Sequence, residues 1–292
     1  MAILDFFKYK GEKAILEEAG RLVRNEISME PVPHGEPIPA DGCKIGGKPY
    51  LPADFVWPVF ESKEEGQVRP LSFFCQINLA EIKPYDKEAL LPDGGMLSFF
   101  YECDSFRWGF DPEDHGAARV FYFENTQGFV SCELPVDLQE DYIMPELPVR
   151  FAAKDSYPAY EELEFHSKLK CGWEEYDKAL AKLGVNREDD PEGHKLLGYA
   201  DIIQNEMLTE CERVTRGLYC GDPESYQGVS DEENLDILEK AKEWVLLLQL
   251  GTIEAEDFEW MFGDCGMLYF YIRKQDLAEK RFENIWFSLQ CG

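Results

Sequence analysis

The spacing of apolar positions along this chain changes period several times, and each change marks an element. Near the N-terminus Ile15, Leu16, Ala19, Leu22, Val23 and Ile27 fall at helical spacing, with Glu17, Glu18, Arg21 and Arg24 between them. That pattern predicts an amphipathic helix. Pro31, Pro33, Pro37 and Pro39 then forbid helix and predict an extended connector. Residues 71–79 read as a strand. In Met96-Leu97-Ser98-Phe99-Phe100-Tyr101 both strand faces carry apolar side chains, which places this segment in a sheet covered on both sides. Residues 160–170 and 173–183 read as helices, the second ended by Gly184. Ser230-Asp231-Glu232-Glu233 forms a capping-box pattern ahead of Leu235, Ile237, Leu238 and Ala241, so the acidic segment 222–244 is predicted to hold a helix.

The pattern also repeats. Asp93-Gly94-Gly95-Met96-Leu97-Ser98-Phe99-Phe100-Tyr101 returns as Asp264-Cys265-Gly266-Met267-Leu268-Tyr269-Phe270-Tyr271-Ile272. Upstream of each copy lies an apolar run holding one glutamine, Gln76 in the first and Gln249 in the second. Two matches in the same order at similar spacing argue for duplication. The interval from Gly198 to Gln249 is 22 residues longer than that from Gly47 to Gln76, and the acidic helical segment accounts for the excess. The expected fold class is α+β, strand-dominated, with internally duplicated sheet units, flanking helices and an N-terminal amphipathic helix. The expected divisions are 1–40, helix and Pro-rich connector; 41–150, first β-rich repeat; 151–190, helical connection; and 191–292, second β-rich repeat with a helical insertion near 222–244.

Composition adds limits. With 292 residues, 45% hydrophobic and 14% aromatic, the chain has ample material for a core and is a poor candidate for disorder. Its 58 acidic against 29 basic residues leave a net charge of -29, which repels phosphate backbones and anionic membrane surfaces. Nucleic-acid and membrane binding are therefore not expected. Solubility is the first meaning of such a charge, and a surface complementary to a basic protein is the second. The opening residues show no secretory signal pattern, and no run approaches the roughly 18 apolar residues that span a bilayer. Nine cysteines, odd in number and scattered through apolar runs, suggest reduced thiols and a cytoplasmic setting.

Familiar catalytic signatures are missing: no nucleophile elbow, Walker A loop, zincin helix or dinucleotide fingerprint. The four histidines and nine cysteines lack ligand spacing. No catalytic residue, metal or cofactor is expected. The acidic clusters 111–114, 188–190 and 254–257 lack the EF-hand pattern and read as solvated faces. The polar residues that stand out are Gln76, Asn78 and Gln249, amides among large hydrophobes, and Asp264 beside a glycine. A buried amide needs partners, and tying down a neighbouring Gly-rich turn is the favoured role. The alternative makes Gln76, Asn78, Gln249 and Asp264 ligand-binding residues, the glutamines forming a symmetric pair at a cleft between the repeats.

Several segments together carry a family resemblance. Lys44-Ile45-Gly46-Gly47-Lys48-Pro49-Tyr50-Leu51-Pro52, Phe74-Cys75-Gln76-Ile77-Asn78-Leu79 and Gly263-Asp264-Cys265-Gly266-Met267-Leu268-Tyr269-Phe270 resemble the YwqG-like family of bacterial proteins. His194-Lys195-Leu196-Leu197-Gly198-Tyr199 and Leu247-Leu248-Gln249-Leu250 fit it as well, so the resemblance runs from about residue 45 to 290. Leu197-Gly198-Tyr199-Ala200 departs from the paired glycines and proline more usual there. The resemblance implies a fold and a cytoplasmic bacterial setting but no catalytic residues, because the family is chiefly one of unknown function. Relatives similar to proteins encoded near secreted toxins extend the implication to toxin neutralisation. The leading functional expectation is a non-enzymatic binding protein that captures a basic protein partner. The alternative is an unfamiliar enzyme or small-ligand sensor using a cleft between the repeats.

Overall fold

The computed structural model describes residues 11–32, 37–62, 66–162, 171–185 and 193–292. Helix α1 (Glu12–Leu22) buries Ile15, Ala19 and Leu22 against Tyr176, Ala179 and Leu180 of a later helix, Trp173–Lys182. The helical pattern does not continue to Ile27 as expected. Arg24–Pro31 forms strand β1, in which Asn25, Ile27 and Met29 point inward. The reason is arithmetic: a spacing of four residues satisfies both a helix turn and two periods of a strand. Val23 and Ile27 therefore fit either, and the tertiary contacts choose the strand.

The strands that follow are β2 (Lys44–Ile45), β3 (Tyr50–Pro52), β4 (Val59–Ser62), β5 (Gln67–Pro70), β6 (Ser72–Asn78), β7 (Met96–Tyr101), β8 (Ala118–Phe123), β9 (Phe129–Ser131) and β10 (Leu147–Ser156). Then come β11 (His194–Leu197), β12 (Trp244–Leu250), β13 (Ile253–Ala255), β14 (Phe258–Trp260), β15 (Met267–Arg273) and β16 (Trp286–Gln290). Ten of them form one sheet in the order β16-β15-β12-β11-β1-β10-β2-β6-β7-β8. The sheet curls into a nearly closed barrel: Phe99 of β7 meets Phe270 of β15 edge-on at 5.3 Å, and Tyr101 meets Phe287 at 5.6 Å. Strand β10 crosses the boundary expected at residue 150, so the connection begins with a strand rather than a helix. Of the helix expected over 160–170, residues 163–170 lie outside the described set.

The sheet has two arms around the central pair β1 and β10, and their registers correspond. Lys44 pairs with Gln76 and Gln76 with Ser98 in one arm; Lys195 pairs with Gln249 and Gln249 with Tyr269 in the other. Each arm has one register irregularity, between Phe73 and Cys75 and between Leu246 and Leu248. Strand β1 pairs with β11 of the arm more distant in sequence, and β10 pairs back with β2, the first strand of the arm that precedes it. The arms differ in what covers them. Trp57 and Phe121 pack on Phe100 in the first. In the second, Leu208, Cys211, Val214 and Ala241 cover Leu246, Tyr269 and Tyr271. Ala241 ends the helix Asp231–Ala241, whose cap is Ser230 accepting the Glu233 N–H at 3.2 Å. Ile237 is buried there, but Leu235 and Leu238 face solvent.

Candidate functional site

The glutamines singled out by sequence are fully buried and bonded almost entirely to main chain. Gln76 accepts the Tyr50 N–H at 2.9 Å and donates to the Ala40 and Gly42 carbonyls at 2.9 and 2.8 Å. Gln249 accepts the Asp201 N–H at 2.9 Å and donates to the Gly193 carbonyl and the Asp201 carboxylate at 2.8 and 2.7 Å. Beside each lies a buried lysine: Lys44 at 2.7 Å from Glu146, and Lys195 at 3.3 Å from Glu26 and 2.7 Å from Asp201. These clusters anchor two left-handed turns, Gly46-Gly47 and Leu197-Gly198. A Cβ at Gly46 meets the Pro145 carbonyl at 2.1 Å, so glycine is required there. Asn78 accepts the Ala80 N–H at 3.1 Å, capping the short helix Leu79–Ile82, and donates to the Asp41 carbonyl. Asp264 is exposed, and its carbonyl receives the Gly292 N–H at 2.9 Å. Gln76 and Asn78 share β6 and both bond the segment 40–42, and none of Gln76, Asn78, Gln249 and Asp264 lines the cleft between the arms.

A cleft of about 620 Å³ does open between the arms, from other residues. The first arm supplies the loop 88–93. The start of β1 supplies Arg24 and Asn25; the second arm supplies Leu197, Val245, Leu246 and the segment 274–280. The loop is wound around Asp86, whose carboxylate accepts the Leu90 and Leu91 N–H groups at 3.2 and 2.8 Å. It is clamped to β1 reciprocally: the Asn25 N–H donates to Glu88 at 2.6 Å, and the Lys87 N–H donates to the Asn25 side chain at 2.8 Å. On the opposite wall the helix Lys274–Ala278 ends in a left-handed turn at Lys280, where the Lys280 and Arg281 N–H groups bond the Leu277 and Asp276 carbonyls at 3.1 and 2.8 Å.

Backbone conformation separates this cleft from the rest of the surface. Among the described residues five that are not glycine have positive φ, and three of them, Ala89, Leu197 and Lys280, line it. Such conformations each cost about 1 kcal/mol or more and concentrate at functional positions. The cleft is also richer in cations than the chain. Arg24, Lys274 and Lys280 stand against Glu88 and Asp93, whereas the whole sequence has twice as many acids as bases. Asp93 is paired outward with Lys83 at 2.8 Å, and that partner lowers its pKa.

A model of a family described as a domain of unknown function, DUF1963, matches residues 43–291. The chain belongs to the DUF1963 family. Comparison with curated proteins finds no match. The DUF1963 match covers both walls of the cleft except Arg24 and Asn25, which lie N-terminal to it.

Elsewhere in the DUF1963 fold, burial creates perturbed groups that sequence reasoning missed. Glu210 accepts the Ser288 hydroxyl at 3.0 Å beside a cavity of about 330 Å³, and burial pushes its pKa up to about 7. Asp114 accepts the Gly109 N–H at 2.9 Å and is raised to about 6, again by burial. His194 is held neutral by burial, its pKa lowered to about 4, with Nδ1 accepting the Gly251 N–H at 3.2 Å. Burial also raises the thiols of Cys43, Cys75 and Cys103. Among the described residues no cluster of three or more potential metal ligands forms. The His34, His166 and 188–190 positions lie outside the described residues.

Proposed function

We propose that this protein binds a small molecule in the cleft between loop 88–93 and the segment 274–280. The observation that carries the reading is the convergence of Ala89, Leu197 and Lys280, three strained left-handed positions from three separate segments, on one concave site of ligand-sized volume. The apolar walls supply burial and the charged rim supplies orientation. A thermal-shift screen of a metabolite library tests it, since a ligand at a hundred times its Kd stabilises the folded state by about 2.7 kcal/mol. Ala278 is exposed and lines the cleft, so Ala278→Trp fills the space without disturbing the core. Compounds that stabilise the wild type should fail to stabilise this variant. Hits that shift both proteins equally, or an absence of hits, defeat the reading.

Two broader inferences accompany it. The corresponding registers, the paired irregularities and the lysine–glutamine–glutamate clusters support descent of the two arms from one duplicated unit. The charge of -29 and the exposed Leu235 and Leu238 on an acidic helix favour a second reading, capture of a basic protein such as a toxin in a reducing, cytoplasmic setting. That contact would form at the helix Asp231–Ala241, away from the cleft, and would weaken as added salt screens the attraction.

A further inference from the structure

We propose that the cleft selects an organic anion with an apolar body, and that Lys280 is the residue that recognises its charged head. This rests on the cleft being a binding site. Its apolar lining includes Leu91, Leu246 and Leu277, and its cations include Arg24, Lys274 and Lys280. The two carboxylates on the rim have their own work: Glu88 holds the Asn25 N–H, and Asp93 faces Lys83. Lys274 donates to the Lys242 carbonyl at 2.6 Å, which leaves two of its three N–H groups for a ligand. At the end of the Lys274–Ala278 helix the Asp276 and Leu277 carbonyls already accept the Arg281 and Lys280 N–H groups.

The second observation is the conformation of Lys280 itself. It occupies the left-handed position after a helix, with φ of 59°, where glycine is the unstrained choice. Its side chain is exposed, and its local contacts are slight: Glu124 at 3.5 Å and the ring of Tyr122 at 5.6 Å from its ammonium. Exposed contacts of that kind contribute little to folding. A lysine kept where it strains the backbone and gains little locally points to a task for its ammonium. Lys280 lines both this cleft and the neighbouring cavity beside Tyr122, and its charge acts on Asp93 at the cleft rim.

The test measures binding of decanoate, decyl phosphate and 1-decanol, each below its micellar concentration, to wild type, Lys280→Gly and Lys280→Arg by calorimetry. Thermal unfolding of each protein without probe accompanies it. Both anions should bind wild type at least about tenfold more tightly than decanol, and Lys280→Gly should weaken only the anions, by roughly five- to tenfold. Lys280→Arg should retain anion affinity, and the unliganded Lys280→Gly protein should melt at or above the wild-type temperature. Preference for one anion over the other decides whether the head is a carboxylate or a phosphate. Equal affinity for all three probes overturns the anion assignment while leaving the cleft a binding site. Binding of none overturns it too, and the Ala278→Trp screen then decides separately whether the cleft binds anything. A lowered melting temperature for Lys280→Gly with unchanged anion affinity makes Lys280 a structural residue.

Discussion

Replacing Gln76 and Gln249 by leucine, one at a time, separates two buried amides of matching register by what each leaves behind. In Gln76→Leu the Tyr50 N–H and the Ala40 and Gly42 carbonyls all lose their side-chain partner, and the replacement is fully enclosed. Each buried group left unpaired costs about 1 to 3 kcal/mol. The added apolar surface of leucine recovers part of that, so the net loss is about 3 kcal/mol. In Gln249→Leu the Asp201 N–H and the Gly193 carbonyl are stranded, but the Asp201 carboxylate keeps Lys195 at 2.7 Å and is itself 40% exposed. Two partly buried groups instead of three give about 2 kcal/mol. Urea unfolding followed by tryptophan fluorescence measures both, with the midpoint shift converted through an unchanged slope. The expected order is wild type, Gln249→Leu, Gln76→Leu. Neutral behaviour of either variant, or a larger loss for Gln249→Leu, refutes the assignment of these amides to turn anchoring.

Glu210 carries a raised pKa, so its protonated form is favoured on folding: between its ordinary value and about 7 the folded state holds a proton that the unfolded state has released, and stability falls as pH rises through that window. Glu210→Gln should flatten this part of the stability–pH curve, and an unchanged slope counts against burial as the cause. Ser230→Ala should cost about 1 kcal/mol by removing the cap of the helix Asp231–Ala241, measured by thermal unfolding; a loss below a few tenths means that helix is held by Ile237 and Ala241 alone.

The parts legible from sequence were those governed by neighbours along the chain. The Ser230 cap, the Gly184 helix stop, the doubly covered strand β7 and the turn-anchoring use of Gln76 each follow from local pattern and the demands of buried amides. Strand β1 was hidden because a four-residue spacing serves helix and strand alike. Strand β10 was hidden because the division expected at residue 150 cuts through it; Pro148 is accommodated beside the short β2, with its carbonyl accepting the Val32 N–H on the other side. The cleft was not legible because several segments distant in sequence build it. Its decisive property, left-handed backbone, falls at Ala89 and Lys280 on residue types that give no sign of it, and at Leu197 is hinted at only by the paired glycines more usual at that turn. Glu210 resembles the other acidic residues until its helix is packed.

The position of β1 between β10 and β11 sets a schedule for the newly made chain. Ile27 must lie beside both Ala153 and Leu196, so neither neighbour exists when it leaves the ribosome. At 5 to 20 residues per second the second neighbour arrives roughly 10 to 30 s later. During that interval the first arm can pair its own strands β6, β7 and β8, but the barrel's middle stays open, with Ile27 and Met29 unsheltered. Completion waits on the far arm, which leaves β1, the first of the described strands to be made, among the last to be enclosed.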